Sequence, residues 1–316
     1  MKEPPIHLYS LILTMHKLRI ASVSFLMEDS PHTLQLNMER ALNYVREASE
    51  LGAQIVCLPE TVTTNGMGNI KVSVRTGINE EFSRAAREHS IAVMAPYYFS
   101  DGKETFNQAT VFDSSGNQIG YYRKAQPTGS EAKWVTPGSE FPIIELAIPT
   151  KESGSIKLKI AIMICMDIYF PEIARIYAMK GAEILFWPTT THGPTQSGLE
   201  AQLKSRAIDN SLYIVESNLA GHPPYAPYSG RFYPGNARII DFNGDIIAQT
   251  GRRAGLAIAD INLDEKRKTS GVVLINEEDD TRADLESLVR MDLFAEEYSQ
   301  IAKKQKRYYD SISKNQ

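Results

Sequence analysis

The chain has 316 residues, 42% hydrophobic and 23% charged, ordinary values for a folded chain with a sizeable core. A net charge of -4 leaves no basic footprint, which argues against a nucleic-acid partner. Two cysteines are too few for a disulfide framework or a thiolate metal site, so no metal is expected, and a reducing, cytoplasmic compartment is the simplest reading.

In chain order, residues 1–16 read as an N-terminal extension. Leu8 to Met15 is apolar, but it lacks a basic leader and falls short of the roughly eighteen residues a bilayer span needs. Met15 offers an alternative start. No other stretch comes near that length, so no membrane contact is expected. Alternation predicts a strand over 17–25. Leu34, Met38, Ala41, Leu42, Val45 and Ala48 recur at helical spacing over 33–51, and Gly52 stands at the C-cap position. Residues 54–58 predict a short buried strand, completing a β–α–β unit and implying a parallel pair. A helix over 79–89 and a strand over 91–95 repeat the pattern. Strands over 105–112 and 118–122 flank the hairpin turn Asp113 to Asn117.

Residues 156–164 predict the strand that runs into Cys165, and 171–180 a helix closed by Gly181. A strand over 183–187, a helix over 197–210 and a strand over 212–216 follow. Residues 236–242 and 246–249 pair across Asn243-Gly244, and 255–261 form a last strand. The charged end, 279–312, reads as helix. No composition shift marks a linker. One layered α/β domain with mixed sheets is therefore expected over 17–265, followed by a helical tail, 266–316.

Three chemically able side chains stand at predicted strand ends, where sites assemble in layered α/β folds. Glu60 follows Leu58-Pro59, Lys124 follows Tyr122-Arg123, and Cys165 closes an apolar strand. Phe170-Pro171-Glu172 then begins a helix, so the thiol sits in a strand-to-helix elbow. Backbone N–H groups and a helix N-terminus aim at such a place. Taken singly, a free cysteine is usually a core residue, which is the reading for Cys57, and a lone Glu or Lys after a strand is usually solvated.

Together, Leu58-Pro59-Glu60, Tyr122-Arg123-Lys124 and Cys165-Met166-Asp167 with Phe170-Pro171-Glu172 resemble the three ordered signatures of the nitrilase superfamily of carbon–nitrogen hydrolases. The flanks agree: Trp187-Pro188-Thr189, Arg206-Ala207 with Asn210, Glu216-Ser217-Asn218, and Gly235-Asn236 with Asp241-Phe242-Asn243-Gly244. The resemblance spans roughly residues 18–263. It implies a four-layer α-β-β-α sandwich, a catalytic triad of Glu60, Lys124 and Cys165, and no cofactor. It also implies a homodimer or higher homo-oligomer paired through helices beside the elbow, with the tail as a dimer contact. Glu131, ahead of Trp134 and Pro137-Gly138, matches a second glutamate that members often carry. Two departures stand out. Ala125-Gln126 replaces the common His-Leu after the lysine. Cys-Met-Asp replaces the Cys-Trp-Glu of true nitrilases, which favours the amidase and carbamoylase branches.

The implied chemistry is hydrolysis of a small amide or N-carbamoyl compound through a Cys thioester, releasing ammonia or an amine. Glu60, its pKa raised by burial, serves as base. Lys124 and the Met166 N–H hold the oxyanion, and Glu131 orients Lys124 or the substrate nitrogen. Trp134, Tyr169, Thr190 and His192 are candidate pocket residues, with the aromatic loop Tyr225 to Tyr233. Arg175 or Arg231 would pair a substrate carboxylate. Asp167 and Glu172 read as structural. Alternatives remain open: nitrile hydrolysis by the same triad, a Cys–His hydrolase using His192 or His222, and a catalytically inert scaffold.

Overall fold

The computed structural model describes residues 17–27, 33–63, 77–129, 131–150, 154–191, 197–221, 233–264, 272–273, 282–283 and 290–304. Strand β1 (Lys17–Phe25) shows how the layers arise. Its side chains alternate. Leu18 and Ile20 enter one core, and Val23 and Phe25 another. Helix α1 (Thr33–Glu50) returns the chain to β2 (Ile55–Cys57). Helix α2 (Ile78–Glu88) leads to β3 (Ala92–Ser100), β4 (Thr105–Phe112) and β5 (Gln118–Arg123). Strand β6 (Ile144–Pro149) pairs antiparallel with β7 (Ser155–Ile162). Helix α3 (Pro171–Met179), β8 (Ile184–Pro188), α4 (Ser197–Asn210) and β9 (Tyr213–Gly221) follow. The strands β10 (Tyr233–Pro234), β11 (Arg238–Ile240), β12 (Ile246–Gln249) and β13 (Gly255–Asn262) complete the body.

One sheet runs β5-β4-β3-β2-β1-β13 and the other β6-β7-β8-β9-β11-β12. A short parallel pairing of β1 with β9 joins them at one corner. Ile20, Ile55, Met94, Ile160, Phe186 and Val215 fill the space between the sheets. The opposite face of the first sheet packs on α1 and α2 through Val45, Phe82 and Val93. The opposite face of the second packs on α3 and α4 through Tyr177, Leu203 and Trp187. The result is the α-β-β-α sandwich, and the sheets are mixed as expected.

Strand direction places the site before any side chain is considered. β1, β2 and β3 are parallel, β4 reverses, and β5 reverses again. β7, β8 and β9 are parallel to one another and to β1. The C-terminal ends of β2, β5, β7 and β8 therefore all open at one edge of the sandwich. Residues 60, 124, 165 and 190 lie just past those four ends.

Some elements differ from the sequence reading. β3 runs to Ser100, because Tyr97 and Tyr98 continue the strand opposite Gln108 and Asn107. β6 was not expected, although Ile144, Leu146 and Ile148 alternate with Glu145, Ala147 and Pro149 in the manner of a half-buried edge strand. The strand over 236–242 shortens to β11, since Asn236 takes a left-handed φ of 56° and the register shifts after Ile239. The tail is not helical from 279. Val272–Val273 (β14) pairs with Arg282–Ala283 (β15), and helix occupies only Met291–Lys304 (α5) among the described residues. Residues 1–16 lie outside the described residues.

Candidate active site

Each of the three strand-end side chains is presented by irregular backbone. Beyond β2, Leu58 still bonds to the Met94 carbonyl, then Pro59 ends the pairing and Thr61 turns at a φ of 50°. Glu60 is thereby folded inward and is almost fully buried. Lys124 follows β5 and is held from both sides: its N–H donates to the Asn107 carbonyl and its own carbonyl accepts from Gly138. Cys165 adopts a φ of 46°, left-handed for a residue with a Cβ. Such backbone costs about 1–3 kcal/mol and persists only where its surroundings enforce it. Here the Trp187 indole donates to the Cys165 carbonyl at 2.9 Å. The Asp167 carboxylate accepts from the Ile164 N–H, the Tyr122 hydroxyl and the Gln126 N–H. The elbow is thus tied to β8 and to the chain beyond Lys124. A single 3-10 turn, Cys165–Tyr169, separates the thiol from α3, with Pro171 at the helix start as expected.

The side chains converge. Lys124 Nζ lies 2.7 Å from Glu60 Oε1 and 2.9 Å from Glu131 Oε2. Asn107 Nδ2 bridges the two carboxylates, 2.8 Å from an oxygen of each. Glu60 Oε2 accepts from the Thr190 N–H at 2.9 Å and the Thr190 hydroxyl at 2.7 Å. Glu131 also accepts from the Thr128 N–H at 3.0 Å and more distantly from the Tyr98 hydroxyl. Cys165 sits within the field of Glu60, Lys124 and Glu131.

Electrostatics assign the resting protonation state. Burial pushes the Glu60 carboxyl up, but the Lys124 charge and the hydrogen bonds from Lys124, Thr190 and Asn107 outweigh it and hold the group below its ordinary value. The expectation of a raised Glu60 is thereby corrected: the cation is 2.7 Å away. Burial disfavours the Lys124 ammonium, yet Glu60, Cys165 and Glu131 raise it well above its ordinary value. Burial and then the Glu60 charge push the Cys165 thiol up to about 12, against Lys124 and Thr189. The resting set is a carboxylate, an ammonium and a protonated thiol. Burial also lifts Asp167 to about 6, despite its three donors. Cys57 is fully buried between the sheets beside Met94, in keeping with a core role.

The remaining candidates fall into three groups. Thr190 touches Glu60, and Trp134 stands half-buried beside Glu131, edge-on to the Tyr98 ring at 4.7 Å. Met166 and Tyr169 lie on the elbow turn, Met166 half-buried and Tyr169 exposed. Arg175 does not join this group: it lines a groove on the outer helical layer with Arg206, Asp209, Phe294 and Tyr298. Its helical position turns it away, one turn past the elbow. Glu172 accepts from the Tyr298 hydroxyl at 2.9 Å and so links α3 to α5. His192, His222, Arg231 and the 225–232 loop lie outside the described residues. Asn107, Thr128 and Tyr98 went unnoticed in the sequence, and Thr189 stood out only as part of the Trp187-Pro188-Thr189 flank. Their signal was weak: polar residues, buried or half-buried, inside or past otherwise apolar strands. Among the described residues, no group of His, Cys, Asp and Glu is arranged to hold a metal ion.

Comparison with known proteins agrees with this fold. Residues 19–270 match the family described as carbon-nitrogen hydrolase. A deaminated glutathione amidase from Synechocystis sp. is 30% identical over 251 residues, 73% of this chain and 88% of that one. An omega-amidase from Xenopus tropicalis is 28% identical, over 79% of this chain and 90% of that one. The fold is shared with an amidase from Nesterenkonia sp. (TM-score 0.70, 20% identity, 88% of this chain and 95% of that one). It is shared also with a carbon-nitrogen hydrolase from Helicobacter pylori G27 (TM-score 0.71, 23% identity, 80% and 92%). The chain belongs to the carbon-nitrogen hydrolase family of the nitrilase superfamily, as an enzyme of amidase type.

Proposed function

We propose that Cys165, Glu60 and Lys124 hydrolyse a small linear amide or N-carbamoyl compound through a thioester, with Glu131 as a fourth residue of the site. The observation that carries this reading is the buried Lys124 ammonium, within 2.7 Å of Glu60 and 2.9 Å of Glu131 and in the field of the elbow thiol. The thiol is protonated at rest, so the nucleophile forms as Glu60 takes its proton and sulfur attacks the carbonyl carbon. Lys124 and the Met166 N–H face the oxygen that gains charge. Glu60 then passes the proton to the leaving nitrogen as the C–N bond breaks. Water attacks the thioester, Glu60 takes a proton from it, and the acid leaves as the thiol is restored. Glu131, saturated by Lys124, Asn107 and Thr128, keeps Lys124 aimed and charged.

The Cys-Met-Asp sequence at the elbow favours amides over nitriles, and the amidase names of the relatives point the same way. A reducing cytoplasm suits a thiol nucleophile. No described helix is long and apolar enough to cross a membrane. A homodimer is supported by α5, which leaves Phe294 and Tyr298 about half exposed in the groove shared with α3 and α4, and Leu293 and Ile301 about half exposed elsewhere along the helix. The body over 17–265 acts as the hydrolase domain and 266–316 as the assembly tail.

Ammonia release from a panel of aliphatic amides, ω-amides, N-carbamoyl amino acids and nitriles tests the reading. Turnover is expected in the amide or carbamoyl arms and none with Cys165→Ala. Turnover retained by Cys165→Ala, or confined to nitriles, overturns it.

A further inference from the structure

Glu60 has two carboxylate oxygens with different surroundings. Oε1 faces Lys124 and Asn107. Oε2 faces Thr190 alone among the described donors, through both its backbone N–H and its hydroxyl. The Thr190 hydroxyl makes the shorter bond of the two, 2.7 Å. Its position is built in. Thr189 donates its N–H to the Ser217 carbonyl, continuing the β8–β9 pairing past Pro188. The Thr189 hydroxyl accepts from the Thr191 N–H at 3.1 Å and shares a hydrogen bond with the Thr191 hydroxyl at 2.6 Å. The peptide between Thr189 and Thr190 therefore has little freedom. That fixed peptide presents the Thr190 N–H and hydroxyl to the carboxylate.

We infer that Thr190 is a positioning residue for the base: its hydroxyl fixes the Glu60 carboxylate and holds it ionised in a closed site, rather than binding substrate. This rests on the reading of Glu60 as the base. A charge-assisted hydrogen bond to a carboxylate favours its ionised form, and the effect is strongest where water is excluded. Glu60 is 2% exposed. The other titratable or charged groups facing it are Lys124 after β5, Cys165 at the elbow, Glu131 across Asn107, and Tyr98 on β3. The Glu60 and Glu131 side chains share one ammonium, that of Lys124. Removal of a donor from Glu60 thus shifts the balance toward its protonated form. The backbone N–H of Thr190 remains in any variant, so the hydroxyl can be tested separately.

The experiment follows the rate of Cys165 alkylation by iodoacetamide between pH 5 and 8 in Thr190→Val and Thr190→Ser, alongside kcat/KM on the best substrate of the panel. Thr190→Val is expected to develop an acid limb inside this range, with alkylation at least threefold slower than the parent at pH 5 and recovering by pH 7. That size follows from losing one hydrogen bond to a charged group. Thr190→Ser, which keeps the hydroxyl, should follow the parent. Thr190→Ala carries the same contrast if the branched variant does not fold. An alkylation profile of Thr190→Val matching the parent at every pH overturns the inference. So does a loss that is equal at pH 5 and pH 8 and shared by Thr190→Ser, which marks a packing role. The alkylation readout needs no substrate. A shifted acid limb with no turnover on any amide would leave the role of Thr190 standing and remove the proposed substrate class instead.

Discussion

A single ammonium holds two carboxylates in the dry end of the sandwich. Lys124 is 2% exposed, and its partners Glu60 and Glu131 are 2% and 9% exposed. Breaking a buried pair by removing one partner typically costs about 3–5 kcal/mol, because a buried charge is left uncompensated. Lys124→Met should therefore destabilise the fold by about that amount as well as abolish turnover. Its pH dependence should also invert. In the parent, Glu60 lies below its ordinary value, so its contribution is present above the unfolded pKa and is lost as pH falls. Without the cation, burial is the largest influence left on Glu60 and raises its carboxyl above the unfolded value. Its contribution is then present at low pH and is lost as pH rises. Urea denaturation should find Lys124→Met more stable at pH 5 than at pH 8. A variant that is less stable at pH 5 would show that the lysine does not hold these charges. The roles of these residues were only partly legible in the sequence. The residue types implied a base, a cation and a nucleophile, but the direction of the Glu60 shift depends on a 2.7 Å contact across 64 residues.

At the scale of elements, the Tyr122-Arg123-Lys124 segment divides its side chains by strand alternation. Tyr122 turns inward to Asp167, and Lys124 inward to the carboxylates. Arg123 turns outward and stacks over the Phe106 ring at 3.5 Å. The Pro137-Gly138 pair, noticed in sequence only as part of a motif, closes over this strand end. A Cβ on Gly138 would lie 2.1 Å from the Arg123 carbonyl oxygen, which is backbone and cannot swing aside. Gly138→Ala should cost about 1–3 kcal/mol of stability by overpacking. It should also lower kcat/KM about tenfold or more, since Gly138 bonds to the Lys124 carbonyl and small displacements of reacting groups are costly. Gly198→Ala, with nothing within 4 Å of the added atom, is the control and should leave both unchanged or improve stability. Equal behaviour of the two alanine variants in thermal melts and kinetics would contradict this account. β6 was missed because a proline at its end and a glutamate within it resemble loop composition, although its apolar residues alternate.

At the scale of the molecule, the four layers place the site at one edge and α5 on an outer face. Apolar side chains along one helix, half exposed next to α3 and α4, are what a subunit contact presents. Light scattering at micromolar concentration should give at least twice the mass of one chain, and Phe294→Asp should shift it toward monomer. A monomeric parent would remove the dimer from the proposal.

The sequence by itself determined the parallel β–α–β order, the elbow around Cys165 and the three chemically able strand ends. These follow from short-range properties: alternation, helical periodicity, and proline and glycine at boundaries. Only the tertiary structure decided that all of these strand ends open on the same edge. It also decided that Asn107 bridges two carboxylates, that Thr190 serves Glu60, and that Arg175 faces away from the site. Those facts depend on strand direction summed over two sheets and on contacts between residues far apart in the chain, and no local pattern encodes them.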